Sequence, residues 1–370
     1  MIGKLIVYSL IGFVLYFVGD VLYRLDLNKR VYNHRPGFCQ KVKGLDHGSE
    51  HVEYVEKEKI AFLSSGVQAL FEENGPKGAI YLYNFSDTDH KAIKLTIENE
   101  PTDFIPHGMG HYYLNGKLHL IVISHTSFKK GFQHRIEILE FNKEKQSLSY
   151  VKTIKDKSFI KPNGLHAVGP EQFFFTNDGY YQSEILGAFE MLFKIKGGSV
   201  YYYDGKESHA LISSEQTPNG IWADVKRKVL YYSSPLGEFI KVIKLSEDLK
   251  SVKGELAHVP LLTSPDNLFM DDEGALWTGA HPVLYKIGDI QACFEVAGKP
   301  KPSPPPSQVL RLKFSEDFKT HELTEPYTDD GRQIPCSSHV VIDGKGNMLI
   351  GSVGLNAVHC KYTPETINAH

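Results

Sequence analysis

Short apolar runs bounded by polar or glycine-rich turns recur along the chain after residue 40. Six of them are rich in β-branched and aromatic residues, and they span 60–66, 118–125, 173–178, 229–235, 275–281 and 348–353. Runs of this composition predict buried β-strands. Their centres recur every 45 to 75 residues, and the widest gap holds the proline-rich stretch 299–307.

A second segment lies 10 to 14 residues before each run and places a polar side chain at one point of every repeat. These segments are 48–50, 106–108, 162–164, 218–220, 265–267 and 337–339. A third strand type reads AIYLYNF, RIEILEFN, SVYYYDG, FIKVIKLS, VLYKIG and QVLRLKF. Repeated strand units at this period predict an all-β, six-bladed β-propeller over residues 30–370, with the second segments around its central channel.

The amino terminus has a different pattern. Residues 5–23 are apolar except for Ser9 and Asp20. Nineteen residues of helix nearly match a hydrocarbon core of about 30 Å. A cleaved signal peptide is the alternative, but Phe17 would then occupy the −3 position before Gly19, where a small residue is expected. We therefore predict a retained anchor, with residues 1–29 as anchor and juxtamembrane segment.

Composition excludes several classes of protein. The 370 residues are 41% hydrophobic and 23% charged, which is typical of globular chains rather than disordered ones. Lys and Arg number 41 against 44 Asp and Glu, a net charge of −3, so nucleic acid is not an expected partner. Twenty Tyr, 21 Phe, 32 Gly and 19 Pro favour strands and turns over a helical bundle.

The sequence features that bear on the cellular compartment of the body point in two directions. Basic residues just after the apolar run slightly favour a cytoplasmic body. Against this stand the glycosylation sequon at Asn84, a calcium-type ligand set, and Cys39 and Cys360, which lie near the two ends where the propeller must close. We expect a single-pass protein with a luminal or extracellular body, in the endoplasmic reticulum or at the plasma membrane.

Five oxygen donors occupy corresponding positions in four repeats, namely Glu50, Asn163, Asn219, Asp266 and Asn267. Two carboxylates and three amides suit calcium, which takes 6–8 oxygen ligands, better than zinc or copper. Any one of these residues could instead be a turn residue. Five at matching positions favour the ligand set.

His107 occupies the corresponding position of the second repeat, and His125 ends the later strand of that repeat. A histidine near a polarised carbonyl can deprotonate water, which would hydrolyse an ester or lactone. The chain lacks the G-x-S-x-G and zinc-protease signatures, so a serine hydrolase or zincin is not expected.

The sequence resembles the paraoxonase/arylesterase family over nearly its whole length. The most specific segments are GLDHGSE (44–50), IAFLSSG (60–66), FIPHG (104–108), HAVGPEQFFFTND (166–178), PNG (218–220), PDN (265–267) and LWTGAHP (276–282). The resemblance implies a six-bladed propeller and a calcium-dependent esterase or lactonase.

The resemblance also assigns roles to individual residues. The family's catalytic-calcium ligands fall on the five oxygen donors above, and its histidine dyad falls on His107 and His125. Its disulfide falls on Cys39 and Cys360, which would leave Cys293 and Cys336 as free thiols. His281 matches a pocket residue by motif only.

Two departures from the family are informative. Paraoxonases hold a second, structural calcium with two aspartates, and His51 and Gly164 stand in those places here. We therefore predict one calcium, since imidazole and a backbone carbonyl poorly replace two carboxylates. The loop 180–191 also differs, so the substrate cannot be carried over.

Two functions remain open at this point. One is a membrane-anchored arylesterase or lactonase acting on a small ester or lactone. The other is a non-catalytic accessory protein, because this sequence looks similar to nematode paraoxonase-like proteins that assist the folding or surface delivery of degenerin-type sodium channels. Such a protein would have an ion-channel subunit as its partner.

Overall fold

The computed structural model describes residues 2–71, 75–127, 131, 133–287, 290–294, 303–363 and 365. Six sheets lie around a central axis, and each sheet is one blade of a six-bladed β-propeller. The innermost strands of successive blades contact one another and close the ring. The predicted fold class is confirmed.

The strands of the first three blades follow in chain order. Blade 1 contains β2 (Val52–Val55), β3 (Ile60–Ser65), β4 (Ala79–Asn84) and β5 (Ala92–Lys94). Blade 2 contains β6 (Thr96–Glu98), β7 (Ile105–Leu114), β8 (Lys117–His125), β9 (His134–Asn142) and β10 (Ser147–Ile154). Blade 3 contains β11 (Pro162–Gly169), β12 (Gln172–Asn177), β13 (Gly198–Tyr203) and β14 (Ser208–Glu215). In blade 2, β6 adds a fifth, outermost strand parallel to β10.

The remaining blades use both ends of the chain. Blade 4 contains β15 (Ile221–Asp224), β16 (Val229–Ser234), β17 (Phe239–Leu245) and β18 (Val252–Pro260). Blade 5 contains β19 (Ser264–Met270), β20 (Ala275–His281), β21 (Ser307–Phe314) and β22 (His321–Asp329). Blade 6 contains β23 (Ser337–Ile342), β24 (Asn347–Ser352), β25 (Val358–Lys361) and, as its outermost strand, β1 (Cys39–Lys41).

Ring closure depends on the pairing of β1 with β25. The two strands are antiparallel, and Cys39 lies opposite Cys360 in the register. These two cysteines form a disulfide that joins positions 321 residues apart. The amino-terminal strand is therefore held in the last blade by both hydrogen bonds and a covalent link.

The expectation that Cys293 and Cys336 are free thiols is wrong. They form a second disulfide, with both residues fully buried. Cys293 ends the 3-10 helix Ile290–Cys293, and Cys336 directly precedes β23. Cys293 lies outside the repeated strands and packs against Gly354, between β24 and β25 of blade 6, and the spacing of 43 residues does not indicate this position.

One predicted strand is also wrong. Residues 283–287 of VLYKIG include the 3-10 helix Leu284–Lys286 rather than a strand, because β21 already occupies the edge of β20. QVLRLKF is thus the third strand of blade 5, and β25 is the third strand of blade 6. In the proline-rich stretch 299–307, residues 299–302 lie outside the described residues, and β21 begins at Ser307.

Helix α1 (Ile2–Arg24) covers the apolar amino-terminal run. Among the described residues it is the one helix long and apolar enough to cross a membrane, and its composition fits an anchor or a signal. Its carboxyl-terminal end contacts helix α2 (Glu184–Leu192) and the residues after it: Phe17 stacks on Phe193, and Lys194 pairs with Asp20 at 2.9 Å.

Candidate active site

A cavity of ≈ 350 Å³ lies at one end of the central axis, where the inner strands begin. The predicted residues on its wall are Glu50, His107, His125, Asn163, Asn219, Asp266 and His281. The remaining predicted ligand, Asn267, lies beside Glu50: its amide nitrogen donates to the Glu50 carboxylate at 2.7 Å. These residues come from five blades, and the first and last of them, Glu50 and His281, are 231 positions apart in the sequence, yet they meet in one cavity.

The repeated Asn-Gly pairs have a packing cause. Asn163 and Gly164 lie in β11, and Asn219 and Gly220 are the two residues before β15, so the pairs lie in or beside the inner strands. A Cβ atom at Gly164 would lie 2.2 Å from the carbonyl oxygen of Asn219, and one at Gly220 would lie 2.3 Å from that of Asp266. Glycine is needed there because each inner strand packs against the backbone of the next ligand residue.

Among the buried cavity oxygens that have no hydrogen-bond partner in the described residues, four belong to predicted calcium ligands. They are Oε2 of Glu50, Oδ1 of Asn163, Oδ1 of Asn219 and Oδ1 of Asp266. Leaving one such atom without a partner costs about 1–3 kcal/mol, so four together indicate a bound group. Two carboxylates and two amides, all donating through oxygen, fit a hard divalent cation such as calcium.

The charge of Glu50 is stabilised from two sides. Burial disfavours its ionised form, but His107, with Nε2 3.4 Å from Glu50 Oε1, outweighs burial and keeps the pKa of Glu50 below its ordinary value. The same contact raises the pKa of His107, although burial opposes it. The amide of Asn267 adds a hydrogen bond to the carboxylate.

Asp266 differs from Glu50. Burial raises its pKa, and the hydrogen bond from His281, 3.1 Å from Oδ2, only partly opposes this. His281 therefore holds one oxygen of Asp266 and leaves the other directed into the cavity. That geometry gives the motif-level match of His281 a physical role.

The histidine pair predicted from sequence is in contact. Nδ1 of His107 lies 2.9 Å from Nε2 of His125. Burial, followed by the neighbouring charge of His107, holds the pKa of His125 well below its ordinary value. Both rings line the cavity, and His107 is the member that contacts Glu50.

Sequence reasoning missed three residues of this site. Nδ1 of His134 lies 2.8 Å from Nδ1 of His125. Asp178 accepts a hydrogen bond from the amide of Asn163 and pairs with Lys161 at 3.1 Å. Asp178 ends the segment FFFTND, so its position next to a predicted strand could have indicated it.

The residues that replace the expected second calcium ligands lie deeper along the same inner strands. Nε2 of His51 lies 3.4 Å from Glu53, and Nδ1 of His111 lies 2.6 Å from the other oxygen of Glu53. Gly164 has no room for a side chain, as its contact with Asn219 shows.

The predicted glycosylation residue is at the surface. Asn84 ends β4, is exposed, and accepts a hydrogen bond from the backbone of Ser86 at 2.9 Å. Its modification remains a prediction.

The chain is similar in sequence to known proteins. The arylesterase family profile matches residues 31–362. Mechanosensory abnormality protein 6 of Caenorhabditis elegans is 32% identical over 375 residues, covering 98% of this chain and 96% of the relative. Human serum paraoxonase/arylesterase 1 is 30% identical over 334 residues, covering 87% and 88%.

Solved structures share the fold at low sequence identity. A luciferin-regenerating enzyme matches with a TM-score of 0.54 and 12% identity, over 88% of this chain and 97% of that one. The calcium-binding protein regucalcin of Agrobacterium tumefaciens matches with a TM-score of 0.50 and 9% identity, over 87% and 90%.

Proposed function

Because the chain belongs to the arylesterase family, we propose that it is a membrane-anchored, calcium-dependent hydrolase of esters or lactones. The observation that carries this proposal is the joint position of four partnerless oxygens and a histidine pair in one cavity. Ligand oxygens alone would be compatible with a calcium ion that only stabilises the fold. A paired histidine beside them supplies a base.

Glu50, Asn163, Asn219 and Asp266 would hold one calcium ion, and Asn267 would orient Glu50. When bound, calcium supplies a Lewis acid that polarises a carbonyl oxygen and stabilises the negative charge formed there.

The residues of the chain supply the remaining steps. His107 accepts a proton from water, and the hydroxide adds to the carbonyl carbon of the ester or lactone. His125 stabilises the His107 ring through the 2.9 Å contact. The proton then returns to the leaving alkoxide, which yields an acid and an alcohol or, from a lactone, a hydroxy acid.

The rim of the cavity supports an apolar substrate and a membrane location. Val67, Leu70 and Leu284 line the cavity. The backbone N–H of Leu284 donates to Asp26, just after α1, so the anchor leaves the propeller beside this rim. We propose a luminal or extracellular body with the cavity on its membrane side, which fits lipid-soluble esters or lactones.

The test is hydrolysis of phenyl acetate and of a δ-lactone by the full-length chain in detergent, with calcium or with a chelator. We expect turnover that needs calcium and falls at least about 100-fold in His107→Gln, since general-base catalysis contributes about 10²–10⁴-fold. His209→Gln is the control, because His209 lies in β14, away from the cavity, and its side chain pairs with Asp204. A folded, calcium-bound chain without turnover would overturn the proposal.

That negative outcome would favour the alternative, a non-catalytic accessory protein for a degenerin-type channel. The observation that favours it is the 32% identity to Mechanosensory abnormality protein 6 over nearly both chains. Its test is co-purification of a channel subunit that persists in His107→Gln and is lost when residues 2–24 are replaced by an unrelated membrane helix.

A further inference from the structure

Three histidines form a continuous line across blade 2. His107 belongs to β7, His125 to β8 and His134 to β9, so the line begins at the central cavity and runs outward over three neighbouring strands. The nitrogen–nitrogen distances are 2.9 Å between His107 and His125 and 2.8 Å between His125 and His134. Both are hydrogen-bond distances.

Strand register produces this alignment. His125 lies directly opposite His134 in the antiparallel pairing of β8 with β9, so both side chains extend from the same face. The pairing of β7 with β8 shifts between Pro106 and Met109, which places His107 in a bulge. Bulges re-aim side chains beside active sites, and this one directs His107 towards both Glu50 and His125.

The contacts use both nitrogens of the middle ring. His125 faces His107 with Nε2 and His134 with Nδ1. A neutral imidazole has one donor and one acceptor nitrogen, so the proton on His134 decides which nitrogen of His125 donates. Burial lowers the pKa of His134 to about 4, so its ring is neutral at physiological pH.

The outer end of the line reaches the surface. His134 is half-buried, and its Nε2 lies 3.5 Å from the amide of Gln182, an exposed residue. At the inner end of the line His107 lines the cavity, and His125, between the other two rings, is buried. The line is therefore a path from the cavity to the edge of blade 2.

We infer that His134 extends the catalytic histidine pair by one residue. It is a positioning residue that fixes the tautomer of His125, and it completes a proton path from the cavity to solvent. This inference rests on the proposed function. As Nε2 of His107 takes a proton from water, its Nδ1 proton moves to Nε2 of His125. The Nδ1 proton of His125 moves to Nδ1 of His134, and the Nε2 proton of His134 leaves to solvent. When the Nε2 proton of His107 passes to the leaving alkoxide, the reverse transfers take a proton from solvent and restore Nδ1–H on His107, so the three rings return to their starting state.

The first test compares full-length His134→Gln and His134→Ala with the wild type on phenyl acetate. Glutamine can hydrogen-bond but cannot pass a proton between two nitrogens. We expect kcat to fall about 10- to 100-fold with KM and calcium affinity within twofold, because general acid–base steps contribute about 10²–10⁴-fold. Free imidazole should restore part of the kcat of His134→Ala. The control His209→Gln should have the kcat of the wild type, and imidazole should not change it.

A double variant sharpens this test. Loss in His107→Gln/His134→Gln should not exceed loss in His107→Gln alone, since His134 acts only through the pair. If the wild type is active and the His134 variants keep kcat within twofold, the inference is overturned while the proposed hydrolase stands.

The second readout does not need activity. In the full-length chain with ¹⁵N-labelled histidine, we expect His134→Gln to move the ring-nitrogen resonances of His125 towards values typical of mixed tautomers, and His209→Gln to leave them in place. If the wild type hydrolyses no ester, the proposed function fails on its own evidence. Unchanged His125 resonances in His134→Gln would overturn the positioning role whether or not the protein is active.

Discussion

The inner strands carry two layers of polar side chains, and the layers satisfy their polar atoms differently. The cavity layer (Glu50, Asn163, Asn219 and Asp266) leaves one oxygen of each residue without a partner among the described residues. In the deeper layer (His51, Glu53, His111, His166 and His339), both oxygens of Glu53 face imidazole nitrogens. Apart from Nδ1 of His51, which has no hydrogen-bond partner among the described residues, the deeper layer is a network held by protein partners, whereas the cavity layer has the form of a ligand site.

His339 is an example of a deeper-layer side chain with both ring nitrogens in contact with backbone groups. Its Nδ1 accepts a hydrogen bond from the backbone of Val52 at 3.0 Å, and its Nε2 lies 3.2 Å from the carbonyl oxygen of Leu268. His166 packs against Trp222 with ring centroids 4.1 Å apart. Both oxygens of the one carboxylate in this layer already face imidazole nitrogens, so the layer offers few oxygen ligands to a second calcium, which supports the proposal of one calcium per chain.

The largest expected effect is a difference between variants of two asparagines whose side-chain oxygens are buried. Asn219 has a partnerless oxygen in the cavity, whereas the side chain of Asn177 donates to Ser158 and Ser199 and accepts two backbone N–H groups. We expect metal analysis to find one tightly bound calcium. Saturation at about 1,000 times Kd should stabilise the wild type by about 4 kcal/mol, and Asn219→Ala should lose most of that gain.

Asn177→Ala provides the contrast to that result. It should cost about 1–3 kcal/mol at every calcium concentration, because it leaves hydrogen-bonding groups unpaired without touching the ligand set. Thermal unfolding with and without chelator measures both variants. Two tightly bound calciums in the wild type, or equal calcium dependence in the two variants, would contradict the distinction between the layers.

A smaller effect is expected at the contact between Gly164 of blade 3 and the backbone of Asn219, just before blade 4. The Cβ of Gly164→Ala would lie 2.2 Å from the carbonyl oxygen of Asn219, so blades 3 and 4 must shift apart. We expect a loss of about 3 kcal/mol, at the upper end for overpacking, together with weaker calcium binding. Gly254→Ala in β18 is the control, since nothing lies within 4 Å of its Cβ. Equal denaturation midpoints for the two variants would show that Gly164 has room for a side chain.

What the sequence could predict depended on local repetition. The propeller, and the meeting of these polar residues at one cavity, could be predicted because strand period and polar position recur from blade to blade, as at Asn163 and Asn219. His134 was not predicted because its role arises from the register of β8 with β9. The Cys293–Cys336 disulfide was missed for a similar reason, since no repeat encodes the path of the connection that carries Cys293.

The smallest of these effects is expected in the deeper layer. Removing the charge of Glu53 in Glu53→Gln weakens two imidazole contacts, so we expect a loss of about 2 kcal/mol at neutral pH with calcium affinity unchanged. Burial opposes ionisation of Glu53, but the hydrogen bonds from His111 and His51 outweigh it and lower its pKa to about 2. A carboxyl whose pKa is lowered by folding stabilises the protein fully above its unfolded pKa of about 4.3 and loses that contribution as pH falls.

The difference in unfolding free energy between wild type and Glu53→Gln should therefore be constant above about pH 5 and shrink as the pH falls from about 4.3 towards 2. Urea unfolding across this range measures it. Glu140→Gln is the matched control, because Glu140 pairs with Lys117 at the surface and its removal should cost at most about 1 kcal/mol. A fall in calcium affinity in Glu53→Gln would mean instead that the deeper layer binds metal, because a network satisfied by protein partners has no reason to respond to calcium.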